Sequence, residues 1–136
     1  MERAWWDGNR VVGLFAKGLP ANHHPSEQPT LLAPRLVELC FQTAGLWEMG
    51  VQGRMGLPLH VDQVRLFRAP DLAEGRLYAV VIPYPDHGTF DAEVVDSKGN
   101  HYLHLSGYHT VALLNGVDAE PLKALQEAMS LLAVTA

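Results

Sequence analysis

The chain is short of several things that would point to particular functions. Its single cysteine, Cys40, rules out an internal disulfide. Cys40 sits in an apolar run, where a free thiol behaves as a small hydrophobe, and a reducing compartment fits. No cysteine or carboxylate cluster has zinc-ligand spacing, so no metal is expected. No apolar stretch reaches the roughly 18 residues a membrane span needs, and the opening MERAWWDGNR has no signal-peptide core. The expectation is a soluble cytoplasmic protein with no membrane partner. Basic residues are scarce too: ten Lys plus Arg against fifteen Asp plus Glu leave a formal charge of −5. Without a basic block, the counterion release that drives nucleic-acid binding has no source, so no nucleic-acid partner is expected.

What remains is ample apolar material. The 136 residues are 48% hydrophobic and 18% charged, enough for one core, and nothing resembles a linker, a low-complexity tract or an internal repeat. One domain over residues 1–136 is expected. Residues 10–19 (RVVGLFAKGL) read as a strand that gives way to a loop rich in turn formers, LPANHHPSEQP. Pro34 suits the first turn of a helix, which good helix formers extend over residues 34–49 before Gly50 supplies a stop. That helix is apolar nearly all round.

Beyond Gly50 the helical period disappears. LPLHVDQVRLF, RLYAVVIPY, TFDAEVV and HYLHLSGYHTVALL are short β-branched and aromatic runs, and read as four further strands. DSKGN between the last two is a hairpin turn with Gly99 where positive φ is wanted, while Gly107 suggests a bulge or close backbone approach. Asp118 is placed to cap a last helix over 118–132, on which Leu122, Leu125, Met129 and Leu132 share one face. A helix apolar on every side needs covering on every side, and an antiparallel sheet curled around it does this. The expected class is α+β, an antiparallel sheet wrapped around a long buried central helix: the hotdog fold.

Within PRLVELCFQTAGLW, residues Arg35, Glu38, Gln42 and Gly45 fall in one narrow sector of the helix. A carboxylate on a core helix is costly unless it is paired, neutralised or facing a cavity, and desolvation favours its protonated form. A neutral carboxylic acid in an apolar channel is a proton donor suited to general acid chemistry, with Gln42 one turn on to orient it or hold a water. The same stripe also fits a structural pair, Arg35 with Glu38 at i, i+3, with Gln42 on a polar rim.

The run from Pro34 to Gln42 resembles the helix of the second, C-terminal hotdog in dehydratase domains of polyketide and polyunsaturated fatty acid synthases. That helix carries a proline, two apolar residues, a catalytic aspartate and a following glutamine. Glu38 replaces the aspartate, and is the residue used at that place by discrete 3-hydroxyacyl-acyl carrier protein dehydratases. The likeness extends in order from about Trp5 to Leu114, through WDGNRVVGLFAKGLP, Leu57-Pro58 with its strand, Gly75-Arg76-Leu77 and the hairpin at Asp96 to Gly99.

The resemblance implies elimination of water from a 3-hydroxyacyl thioester on an acyl carrier protein, with no cofactor. In the family a histidine takes the proton α to the thioester carbonyl and the helix carboxyl protonates the departing hydroxyl. Glu38 matches the carboxyl, Gln42 its support, and Arg35, Gln42 and Gly45 line the acyl path. Pro34 has no N–H to offer a carbonyl at the helix start. Synthase dehydratases carry the histidine on the first hotdog. The discrete enzymes carry it fourteen residues ahead of the glutamate, where His24 stands, though Asn22-His23-His24-Pro25-Ser26 replaces the usual signature. His23 and His24 equally suit an exposed polar loop, and Trp5 and Trp6 suit packing or an interface. As a lone hotdog exposes a helix flank and a sheet edge, pairing with itself or with a second hotdog is expected. A non-catalytic acyl-binding or structural hotdog and a hotdog acyl thioesterase are the other readings.

Overall fold

Asp7-Gly8-Asn9 turns the chain back near its start. Asp7 Oδ1 accepts hydrogen bonds from the Asn9 and Arg10 amides at 3.0 and 2.7 Å, its Oδ2 holds the Arg10 guanidinium, and Gly8 takes a φ of 92°. The product is a hairpin of β1 (Arg3–Trp6) and β2 (Val11–Leu14). The single strand expected over residues 10–19 is thus shorter and has an unforeseen partner before it, for which Asp-Gly was itself the signal. The computed structural model describes residues 1–113 and 119–133.

A long loop leads to α1 (Pro34–Trp47), which starts on Pro34 as expected. Its end differs from expectation. The helix widens into a π turn over Glu48–Gln52 and stops at Gly53, whose φ of 67° is the left-handed cap. Gly50 serves packing instead, since a Cβ there would collide with the Met129 side chain.

Four strands follow: β3 (Gly56–Leu66), β4 (Leu77–Tyr84), β5 (Thr89–Asp96) and β6 (His101–Ala112). With the first two they form one antiparallel sheet in the order β1-β2-β4-β5-β6-β3. Strict alternation decides its inner face: Leu77, Ala79 and Val81 on β4, and Phe90, Ala92 and Val94 on β5, are buried against Leu36, Leu39, Cys40 and Trp47 of α1. The β5–β6 hairpin turns at Gly99, with a φ of 82°. Asp96 clamps it: the carboxylate accepts from the Lys98 amide at 2.8 Å, the Asn100 amide at 3.0 Å and side chain at 2.9 Å, and the Tyr102 hydroxyl at 3.0 Å. Gly107 has a φ of 62°, sits beside a register shift between Phe90 and Ala92, and leaves no room for a Cβ against Asp62. Bulge and close approach coincide there.

A last helix, α2 (Ala119–Ala133), packs on the π turn, with Met129 buried and Leu122 and Leu125 half-buried on one face. The proposed cap Asp118 lies outside the described residues. As expected of a lone hotdog, one helix flank stays open: the sheet ends at β3, and the side of α1 bearing Glu38 and Gln42 is exposed. The architecture is that of a hotdog with one open flank. Among the described residues, no helix is long and apolar enough to cross a membrane.

Candidate active site

The open flank of α1 faces the first residues of β3 across a cavity of about 450 Å³. The helix contributes Glu38, Phe41, Gln42 and Gly45, one or two turns apart, and β6 contributes Tyr108. Met49 and Met55 border it where the π turn leads into β3, and the wall is mostly apolar. Gly45 leaves space there, for a Cβ at that position would meet nothing within 4 Å.

Glu38 and Gln42 are bonded to each other. Gln42 Nε2 donates to Glu38 Oε1 at 3.0 Å. The stripe therefore presents an acid oriented by an amide one helical turn away, at the edge of an apolar hollow. The carboxyl is exposed in the single chain, not enclosed in an apolar tube as expected, because no described element closes over the flank beyond β3.

Arg35 does neither of the things the stripe suggested. Its Nε donates to Asn22 Oδ1 at 3.1 Å and its Nη2 to the Pro20 carbonyl, so it ties the long loop to the helix start and forms no pair with Glu38. Nor does it line the cavity of Glu38. His24 is exposed on that loop and also lies outside the cavity wall. Its neighbour His23 engages the Gln28 carbonyl at 2.5 Å. The loop meets α1 at its start, whereas the cavity opens against the middle and end of the helix. Glu38, Gln42 and Gly45 are thus brought together; Arg35 and His24 are not. Among the described residues, no three His, Cys, Asp or Glu side chains are grouped to hold a metal ion.

Two residues near the site were not picked out from the sequence. Glu48 has no exposure, and its Oε1 accepts from Arg54 Nη2 at 2.9 Å and Thr110 Oγ1 at 2.5 Å. Its Oε2 has no partner among the described residues and lies where a Cβ of Gly56 would be. This triad joins the π turn to β6 behind the cavity rim. The other is Tyr108, 2% exposed and stacked on Phe41 with ring centroids 4.4 Å apart and planes inclined by 22°. Burial, then the charges of Glu48 and Glu38, push its phenol well above the ordinary tyrosine range, so it stays protonated.

An antiparallel sheet packed on a helix that displays an acid–amide pair to a cavity is the arrangement of a hotdog domain. The chain belongs to the polyketide synthase dehydratase family, whose model, described as the polyketide synthase dehydratase N-terminal domain, matches residues 1–120. No curated protein matches the sequence. Among solved structures, the dehydratase domain from the CurF module of the curacin polyketide synthase is similar at a TM-score of 0.62 and 19% identity, covering 82% of this chain and 39% of that one. The CurK dehydratase of the same synthase is similar at 0.61 and 19%, covering 84% and 40%. A fusion dehydratase domain is similar at 0.53 and 20%, covering 90% and 42%. These likenesses establish the hotdog fold. The chain spans about two fifths of the length of the dehydratases it matches.

Proposed function

We propose that this chain is the carboxyl-bearing hotdog of a dehydratase that removes water from 3-hydroxyacyl thioesters carried on an acyl carrier protein. The observation that carries the reading is the Glu38–Gln42 pair, bonded at 3.0 Å and set on the wall of an apolar cavity large enough for a short acyl chain. Glu38 is the general acid that protonates the departing hydroxyl, Gln42 orients it, and Gly45 leaves room for the chain.

The base comes from elsewhere. Among the described residues no histidine lines the cavity, so elimination needs a histidine from a second hotdog, either a separate domain or another copy whose His24 reaches across. Three observations support such pairing: the open flank of α1, the share of about two fifths that the chain has of the solved dehydratases, and the long edge strand β3, which leaves Leu57 and Leu59 exposed. Covering the flank would also remove Glu38 from water. The family description names an N-terminal domain, whereas the helix pattern and the lack of a cavity histidine among the described residues favour the second, carboxyl-bearing half; we assign the chain to that half.

The test is incubation with a 3-hydroxyacyl pantetheine thioester, alone and with a histidine-bearing hotdog, following enoyl product and free thiol separately. Enoyl product that requires the partner supports the half-site reading. Free thiol without enoyl product would instead make the chain a thioesterase, and neither product in any combination would leave a binding or structural role.

A further inference from the structure

Within the proposed site, two polar side chains of the cavity wall, Glu38 and Gln42, are bonded to each other; the third, Tyr108, is bonded to nothing described. Its ring is held between Phe41 on α1, at 4.4 Å, and Phe90 on β5, at 5.9 Å, so its direction is set by packing. The residue is 2% exposed and lines the cavity, so the cavity is the open space beside it. A buried tyrosine normally finds a partner for its hydroxyl. A phenol fixed by stacking, placed on a mostly apolar wall and without a partner among the described residues, is arranged to bond to what enters.

We propose that Tyr108 is a substrate-binding residue that donates a hydrogen bond to the 3-hydroxyl oxygen of the acyl chain, the oxygen that Glu38 protonates. The assignment rests on the dehydratase reading for the identity of that oxygen. In the elimination the bond between C3 and oxygen breaks, the pair from the Cα–H bond forms the double bond, and the Cα proton passes to the histidine base. The oxygen leaves as water with the proton from Glu38. Tyr108 keeps its own proton throughout, stabilising negative charge on the oxygen as the bond lengthens. Burial, before any neighbouring charge, keeps the phenol in its donor form. A saturated acyl chain would offer this donor nothing, so the residue also selects hydroxylated chains.

The test is Tyr108→Phe, which keeps the ring and its stacking and removes one oxygen. Binding of 3-hydroxybutyryl and butyryl pantetheine thioesters to wild type and variant is measured by calorimetry, with thermal denaturation as the check on fold. The variant is expected to lose about tenfold in affinity for the hydroxylated ligand, the worth of one hydrogen bond, with no change for the saturated one. Equal wild-type affinity for the two ligands, or an equal loss for both in the variant, would overturn the assignment. Selective binding that disappears in Tyr108→Phe, in a protein that dehydrates nothing even with a histidine-bearing partner, would sustain the contact with the hydroxyl while ending the dehydratase reading. Dehydration lost in Glu38→Gln but unaltered in Tyr108→Phe would end the role of Tyr108 and leave that reading in place.

Discussion

Arg54→Ala removes one partner of a carboxylate that has no exposure. Glu48 would retain only the Thr110 hydroxyl, its Oε2 having no described partner already. Breaking a buried ion pair by deleting one side costs about 3–5 kcal/mol, and the low end applies because the Arg54 side chain is 39% exposed and water replaces part of it. About 3 kcal/mol at a urea slope of about 2 kcal/mol/M lowers the unfolding midpoint by about 1.5 M. Adding Glu48→Gln should then recover at least about 1 kcal/mol, since the amide keeps the shape and the Thr110 bond but carries no charge to strand. Urea denaturation of the two single variants and the double, followed by circular dichroism, closes the cycle. A double variant no more stable than Arg54→Ala, or a loss in Arg54→Ala under about 0.5 kcal/mol, would refute the claim that an enclosed charge holds the π turn to β6.

Asp96 should govern the acid limb of stability. Burial pushes its carboxyl up, but bonds from the Asn100 side chain and amide, the Lys98 amide and the Tyr102 hydroxyl outweigh it and hold the group well below its usual 3.8. Its contribution is therefore complete above the usual carboxylate value and drains away as pH falls toward the folded one; Asp96→Asn should flatten urea midpoints measured over that range, and parallel curves would contradict this. Burial raises the Cys40 thiol to about 12, so native protein should resist a thiol reagent until it unfolds, and immediate labelling would show the core open to solvent. Gly107→Ala forces a Cβ against Asp62 at a φ of 62° and should cost more than about 1 kcal/mol in urea denaturation, whereas a neutral change would mean the bulge relaxes freely.

Much of the architecture can be read from short-range chemistry. Pro34 opens α1, the DSKGN turn pairs β5 with β6, and alternation marks which residues of β4 and β5 enter the core, because each of these is settled within a few residues. The end of α1 is not local. Gly50 looks like a stop, but Met129, some eighty residues away, gives it a packing role, and the helix runs through it to Gly53. The Asp-Gly turn before Val11 is a local hairpin signal, masked by the stronger β pattern from Arg10 onward. At the site, the spacing of Glu38, Gln42 and Gly45 reveals a shared face, while the pull of Asn22 and Pro20 on Arg35 depends on where the long loop lies. Tyr108 and Glu48 carry no local signal, since one owes its significance to stacking on α1 and the other to partners on either side of the turn.

The most direct measurement is the rate at which Glu38→Gln forms enoyl thioester from a 3-hydroxyacyl thioester, beside the unaltered chain and with the same histidine-bearing hotdog. Losing a general acid should slow the reaction at least about 100-fold. The thermal unfolding midpoint should stay unchanged, because the side chain is exposed and its described bond is to Gln42 alone. An enoyl rate equal to that of the unaltered chain would contradict the assignment of Glu38 as the acid.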